Sequence, residues 1–361
     1  MENDLKYMRF LDYFSLEGKF DELVGIALFG LGRAGTIQLQ NLLSCVRSQV
    51  CYVVEESQER LRVVEDKYKH KIPNAKFVRV THISSLLKDP SVRAVIVCTP
   101  TFSHKDIVCK ALAAGKHVFC EKPVAETNED VRECYNTAKA HNVKLFCAFN
   151  RRYDPGLRSI KNKVLKGELG DVYLIKTTSR DSPIPSIEYL RSSGGIFHDC
   201  AVHDIDAVCW LMGEKPIRVQ VFGSLLSPPL KELEGRDFDT VTISFQFASG
   251  KLALIDLSRN ACYGYDQRCE VFGSKGMLEN LNNRPNGIQQ QTYNATKQDP
   301  ILYSFPSRYQ ESYQIELQYF LDLVVGNAKE EVLQEDVLAV TRIASACEKS
   351  AKEGIVVNLD W

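Results

Sequence analysis

The chain lacks any apolar stretch approaching the ~20 residues needed to cross a bilayer, any Lys- or Arg-rich block, and any cysteine pair spaced CxxC. Each absence removes a class of function. The opening MENDLKYMRFLDYF carries acids early and no long apolar core, so neither a secretory leader nor a membrane anchor is expected. Lys and Arg total 45 against 46 Asp and Glu, a net charge of −1. Without a basic stripe, neither nucleic acid nor an anionic membrane is the expected partner. The 12 cysteines are scattered along 361 residues, which fits neither a zinc ribbon nor a thioredoxin-type pair, and a disulfide scaffold is not expected at this length. Reduced thiols in a cytoplasmic protein with a small-molecule partner are the expectation.

What is present is ordinary globular material, 44% hydrophobic and 25% charged. At roughly 150 residues per domain the length predicts two domains. The first opens with LVGIALFGLGRAGTIQLQNL. An apolar run over 23–29 reads as a buried strand, breaks into Gly30, Gly32 and Gly35, spaced GxGxxG, and continues with helical periodicity. The first glycine permits a tight turn, the second lets backbone approach a pyrophosphate, and the third lets the helix pack close to the strand. Arg33 and Ala34 lie inside this loop, and the free N–H groups of a helix start suit phosphate. GxGxxG alone recurs by chance; the strand-turn-helix context gives it meaning.

The next strand, 50–54, ends at Glu55, twenty positions after Gly35. A carboxylate there can accept hydrogen bonds from the adenosine ribose, and Glu56 beside it would repel a 2′-phosphate, so NAD is expected over NADP. Simple capping of the strand is the competing role for Glu55. Strands over 94–98, 117–120 and 144–148 alternate with helices over 104–114 and 129–142. That alternation implies an α/β fold with a parallel, doubly wound sheet whose ligand lies beyond the strands' carboxyl ends. Thr99, Pro100, Glu121 and Lys122 leave the sheet at that edge and should face the cofactor.

GGIFHDCAVHDIDAVCW, 194–210, gathers His198, Asp199, His203, Asp204 and Asp206. On a helix Asp199 and His203 share one face, and a neutral imidazole can take a hydroxyl proton near pH 7. A catalytic metal needs three converging protein ligands, whereas His198 would point about 100° from Asp199. Acid–base chemistry without a metal is therefore expected, with Asp204 and Asp206 read as solvated.

TPTFSH (99–104), AGKHVFCEKPVAET (114–127), FNRRYDP (149–155), GELGDV (167–172), TTSRDSP (177–183), GGIFHDCAVHDID (194–206), YGYDQRCEVFGSKG (263–276) and RYQESYQIELQYF (308–320) occur in that order. Together they resemble the glucose-fructose oxidoreductase / inositol dehydrogenase / MocA family, with its inositol-oxidising members the nearest match. The resemblance implies an N-terminal Rossmann NAD-binding domain, 23–148, and a C-terminal α/β domain, 149–361, with a large open, mostly antiparallel sheet. The exposed face of that sheet usually makes an oligomer contact, so a homo-oligomer, dimer or tetramer, is expected. Residues 1–22 extend beyond the usual family start. Strand-like runs at 172–179, 219–222, 240–247, 251–258 and 267–272, a hairpin turn at 249–251, and an amphipathic closing helix over 334–352 are compatible with this.

The resemblance also implies chemistry: NAD-dependent oxidation of a secondary alcohol of a cyclic polyol or sugar. Lys122 would stabilise developing alkoxide, His203 would take the proton, and Asp199 would orient His203. His104 would start the helix behind the nicotinamide ribose. Arg152, Asp181, Tyr263 and Tyr265 would line the polyol pocket, with ion pairing or packing as their plainer roles. His198 and Ser179 depart from residues common in relatives, which bears on the substrate and not on the reaction class. A sugar or dihydrodiol dehydrogenase is the alternative enzyme. A non-catalytic dinucleotide sensor is disfavoured, because Lys122, Asp199 and His203 are all present.

Overall fold

Strand β1 (Val24–Phe29) is buried at every position, as a strand covered on both faces must be. In the computed structural model, which describes residues 23–361, it lies near the centre of a parallel six-stranded sheet ordered β3-β2-β1-β4-β5-β6. The other members are β2 (Ser48–Val54), β3 (Lys76–Val78), β4 (Ala94–Val97), β5 (His117–Glu121) and β6 (Leu145–Ala148). Helices α1 (Arg33–Ser44), α2 (Gln58–Tyr68), α3 (His104–Ala113) and α4 (Asn128–Ala140) connect them. This strand order is that of a dinucleotide-binding doubly wound fold. Strand β3 has no counterpart among the sequence expectations; three residues at a sheet edge carry too little periodicity to be seen. The extension 1–22 lies outside the described residues.

After α5 (Pro155–Leu165) the chain builds a second sheet from β7 (Val172–Arg180), β8 (Pro216–Ser224), β9 (Thr240–Phe247), β10 (Leu252–Ser258), β11 (Asp266–Gly273) and β12 (Gly276–Asn280). Helices α6 (Ile187–Ser192) and α7 (Val202–Met212) interrupt the strands, and β13 (Gln289–Gln291) with β14 (Thr296–Gln298) forms a separate small hairpin. The order is β12-β11-β7-β10-β9-β8-β15, where β15 is Val357–Asn358. Only β7 and β10 pair in parallel; the remaining pairs are antiparallel. Strand β9 alternates buried and exposed residues along its length, which marks one covered face and one open face. On exposed positions of this sheet stand Tyr173, Phe222, Leu252, Leu254, Phe272 and Met277.

Two further helices, α8 (Gln310–Val324) and α9 (Gln334–Glu353), complete the chain. Helix α9 packs on β8 and α7. Helix α8 returns to the first sheet, where Leu317, Phe320 and Leu321 share a core with Val24, Ile26, Leu28 and Phe119. The C-terminal half of the chain thus supplies part of the first sheet's cover.

That cover hides an acid. Glu316 of α8 is fully buried, and among the described residues neither its carboxyl oxygens nor the amide atoms of the buried Gln38 on α1 have a hydrogen-bond partner. Burial, reinforced by the charge of Glu121, pushes the Glu316 carboxyl well above the usual range. Glu316 therefore stays protonated when folded but ionises in the unfolded chain, so stability falls as pH rises past about 4.3. Glu316→Gln is expected to raise stability by about 1–3 kcal/mol at pH 8, with the gain shrinking toward pH 4. Urea unfolding at the two pH values checks this, and a gain independent of pH would contradict it.

Candidate active site

The parallel topology delivers the site. Gly30, Glu55, Thr99, Lys122 and Asn150 all lie at or just beyond the carboxyl ends of their strands, on the edge where such sheets bind ligands. Gly30 has φ +86°, and a Cβ there would meet the carbonyl oxygen of Cys98 at 2.5 Å. A Cβ on Gly35 would meet the Gly30 carbonyl at 1.9 Å, whereas one on Gly32 would meet nothing within 4 Å. The first and third glycines are thus required by protein packing, and the second faces open space. Helix α1 starts there with no side-chain cap and no acid in its first turn, leaving its N–H groups for an anion. Glu55 is buried, with one carboxylate oxygen accepting from Leu31 N at 2.8 Å and the other from Ser57 N at 3.0 Å. It caps the glycine loop while keeping lone pairs for a diol, and no positive charge from Arg or Lys is hydrogen-bonded to it. These residues fit NAD: the free N–H groups over Gly32, Arg33 and Ala34 would suit its pyrophosphate, and the Glu55 carboxylate would suit a ribose diol.

His104 is buried at the start of α3, with Nδ1 2.7 Å from the Pro123 carbonyl and Nε2 2.8 Å from the Thr99 carbonyl. Burial lowers its pKa, although both carbonyls pull the other way. Set between these two carbonyls, with one N–H to donate when neutral, His104 packs behind the Thr99-Pro100 loop and the Lys122 loop. Glu121 is also drawn inward, and burial raises its carboxyl to about 7.

Lys122 Nζ donates to the Asp199 carbonyl at 2.7 Å and approaches Asp199 Oδ1 at 3.3 Å. This contact joins the two halves of the molecule. Asp199 sits in a π-helical segment, Phe197–Ala201, that leads into α7; such local widening recurs at functional sites. Its carboxylate also accepts from Tyr189 Oη at 2.8 Å and from Arg259 Nη1 at 3.1 Å. Burial alone would raise the Asp199 pKa, but Lys122 and Arg259, with the Tyr189 hydroxyl, outweigh it and hold the group below the usual carboxylate range.

The expected orientation of His203 by Asp199 is not what the structure shows. The Asp199 carboxylate is occupied by Lys122, Tyr189 and Arg259, and His203 Nδ1 is buried without a hydrogen-bond partner among the described residues. A fully buried guanidinium demands a nearby carboxylate, and Arg259 takes Asp199 for that purpose. Burial, and then the charges of Lys122 and Arg151, lower the His203 pKa well below that of an ordinary imidazole. The imidazole is therefore neutral across the neutral pH range.

Two further expectations need correcting. Asp204 and Asp206 are not solvated: both are buried, Asp204 paired to Arg151 at 2.7 Å and Asp206 to Arg152 at 2.6 Å. Arg152 does not face a pocket, since Asp206, Asp336 and the Glu331 carbonyl saturate its guanidinium. Asn150–Tyr153 is a 3₁₀ turn, which sends successive side chains about 120° apart. Arg151 is the one turned toward the site, bonding Asp204 and Ser179 Oγ and carrying its charge to His203 and Asp181.

Asp181 lies within 3.5 Å of Cys200 Sγ, and burial raises its pKa against the pull of Arg259. Tyr265 is buried against Tyr309 and feels the Asp181 charge. Tyr263 is half exposed, and its hydroxyl donates to Asp266 while accepting from Arg180. His198 turns away to Glu348, 3.3 Å distant. Among the described residues no three His, Cys, Asp or Glu side chains form a group that could hold a metal ion, and no helix is long and apolar enough to cross a membrane.

Three contributors were not singled out from sequence. Arg259 follows LALIDLS at the end of β10, and a charge ending a half-buried strand was the available signal. Arg151 was masked by its neighbour. Tyr189 links the glycine loop to Asp199, because Arg33 stacks over its ring at 5.0 Å.

Residues 24–149 match the NAD-binding Rossmann fold of the Gfo/Idh/MocA oxidoreductase family, and residues 161–359 match its C-terminal alpha/beta domain. The myo-inositol 2-dehydrogenase of Thermotoga maritima is 37% identical over 338 residues, covering 93% of this chain and 98% of the relative. The scyllo-inositol 2-dehydrogenase (NAD(+)) of Bacillus subtilis is 30% identical over 337 residues, with 93% and 96% covered. The crystal structure of scyllo-inositol dehydrogenase from Lactobacillus casei, with bound NAD(H) and scyllo-inositol, superposes with a TM-score of 0.85 at 25% identity, covering 93% of this chain and 99% of that one. With both domains matched in order, the chain belongs to the Gfo/Idh/MocA family of NAD-dependent oxidoreductases.

Proposed function

We propose that this enzyme oxidises one secondary alcohol of a cyclic polyol, myo-inositol being the first candidate, with Lys122, Asp199 and His203 as its acid–base set. The observation that carries the reading is the Lys122 ammonium held on Asp199, with its charge felt by a half-buried His203 that stays neutral. Bound at the glycine loop, NAD supplies the hydride acceptor. Lys122 polarises the substrate hydroxyl and stabilises negative charge as it develops. His203 takes the proton. Asp199, held anionic by Arg259, fixes the ammonium in place. Arg151, Asp181 and Tyr265 are proposed to face the polyol's remaining hydroxyls, and Thr99, Pro100, His104 and Glu121 to shape the nicotinamide side.

A panel of inositol isomers and sugars with NAD, followed at the reduced-nicotinamide absorbance, tests the substrate class. Turnover of a cyclitol supports it; turnover of aldoses alone would move the reading to a sugar dehydrogenase. The depressed pKa of His203 adds a signature. The base form persists as pH falls, so kcat/KM is expected to stay level from neutrality through about pH 6.5, the ordinary imidazole value, and to drop only in more acid solution. An acid limb at or above that value would contradict a half-buried neutral base.

The reading extends to organisation: 23–148 as the NAD-binding unit and 149–361 as the substrate-binding unit, joined in a homo-oligomer. Support comes from the exposed apolar side chains of the second sheet, Tyr173, Phe222, Leu252, Leu254, Phe272 and Met277. Light scattering on the purified protein decides between monomer and oligomer. A reducing, cytoplasmic setting fits the 12 cysteines, all of them free thiols.

A further inference from the structure

Two of the twelve cysteines lie side by side. Cys109 on α3 and Cys134 on α4 place their sulfurs 3.7 Å apart across the contact of the two helices. Cys134 is buried and Cys109 is partly exposed. Neither takes part in the site described above. We propose that Cys109 and Cys134 form an oxidant-reactive dithiol, with Cys109 attacking a hydroperoxide and Cys134 resolving the product as an intrachain disulfide.

The chemistry suits the two positions. Reactivity follows thiolate character and access. The Cys134 thiol beside it, and then Thr137 and Lys105, pull the Cys109 pKa down against its burial and the charge of Glu133. Lys105 stands one turn earlier on α3 and is paired to Asp130 and Glu133 of α4, so the two helices are already clamped beside the sulfurs. Cys134, hydrogen-bonded to Cys109 and buried, has its pKa raised and remains a thiol. Those are the complementary properties of an attacking and a resolving cysteine.

In the first step the Cys109 thiolate attacks the terminal oxygen of the hydroperoxide, giving a sulfenic acid; the O–O bond breaks, an S–O bond forms, and the alkoxide leaves (hydroxide for hydrogen peroxide) and takes a proton from water. In the second, Cys134 sulfur attacks the sulfenic sulfur. The S–S bond forms, and the departing hydroxyl takes the thiol proton and leaves as water. Two thiols are oxidised by two electrons and one peroxide is reduced. The sulfurs must close from 3.7 Å to about 2.05 Å. A bond there would staple α3, which begins at His104, to α4, which follows directly on the Lys122 loop.

The test uses the full chain treated with hydrogen peroxide, alkylated, digested and analysed by mass spectrometry. The expected product is a 109–134 linked peptide two hydrogens lighter than the reduced pair. Thiols titrated in denaturant should fall from 12 to 10, and dithiothreitol should restore them. Cys134→Ser should instead leave Cys109 as a sulfenic acid that dimedone traps. Cys109→Ser should leave Cys134 unoxidised. Exposed Cys262 serves as the internal control for simple accessibility. Oxidation of Cys262 with Cys109 untouched, or conversion of Cys109 to sulfinic acid in the wild-type chain without any linked peptide, would overturn the proposal.

Discussion

Lys122→Ala is expected to lower kcat/KM for the polyol by about 10²-fold or more while NAD affinity changes little. The ammonium bridges the carboxyl edge of the first sheet to the segment that carries Asp199. Loss of preorganised charge at a developing oxyanion costs about 10²–10³ in rate. The residues that fit NAD, from Gly30 to Gly35 and Glu55, are untouched by the change. Steady-state kinetics together with NAD titration of the variant separate the two effects. Equal kcat/KM in the variant would remove Lys122 from the chemistry, and a parallel loss of NAD affinity would reassign it to cofactor binding.

The second large effect concerns Arg259. It is fully buried, bonds Asp199 at 3.1 Å and stands 3.7 Å from Asp237. Asp237 in turn accepts from the backbone N–H of Ile196, at the entrance to the π-helical segment. Arg259→Leu would leave carboxylates without their cation in a dry setting, which typically costs about 3–5 kcal/mol. Without Arg259 the burial that raises the Asp199 pKa is less opposed, so Asp199 takes up a proton at higher pH. Its carboxyl then loses its charge pairing with Lys122, which keeps the backbone carbonyl. Arg259→Leu is expected to unfold at lower urea and, where folded, to show an acid limb moved upward. Arg259→Lys should recover part of both. A variant with wild-type stability and an unmoved pH profile would show that Lys122 alone holds Asp199 ionised.

The dinucleotide half was legible because its signals are local. An apolar run, three glycines at fixed spacing and an acid twenty residues on each report a backbone need within one strand-turn-helix unit. The closing helix declared itself through periodicity alone. Pairings between distant segments were not legible. Asp204 and Asp206 looked solvated because Arg151 and Arg152 lie 53 and 54 residues away in sequence. Choosing Arg152 over Arg151 needed the rotational phase of a four-residue 3₁₀ turn, which composition does not record. Helical spacing put Asp199 and His203 on one face, while Asp199 falls in a π-helical segment. It could not show that Arg259, Tyr189 and Lys122 would take up the carboxylate. β12, with its mostly exposed GMLEN, and the two-residue β15 carry no strand signature of their own.

The central claim is that the Lys122 ammonium and the His203 imidazole converge on a single substrate oxygen. The most direct test is a crystal structure of the protein with NADH and the polyol that it turns over. The account predicts one hydroxyl oxygen within about 3.2 Å of both Lys122 Nζ and a ring nitrogen of His203, with its carbon facing C4 of the nicotinamide. A reactive hydroxyl bound to Asp199 instead, with His203 and Lys122 on opposite sides of the ring, would contradict it.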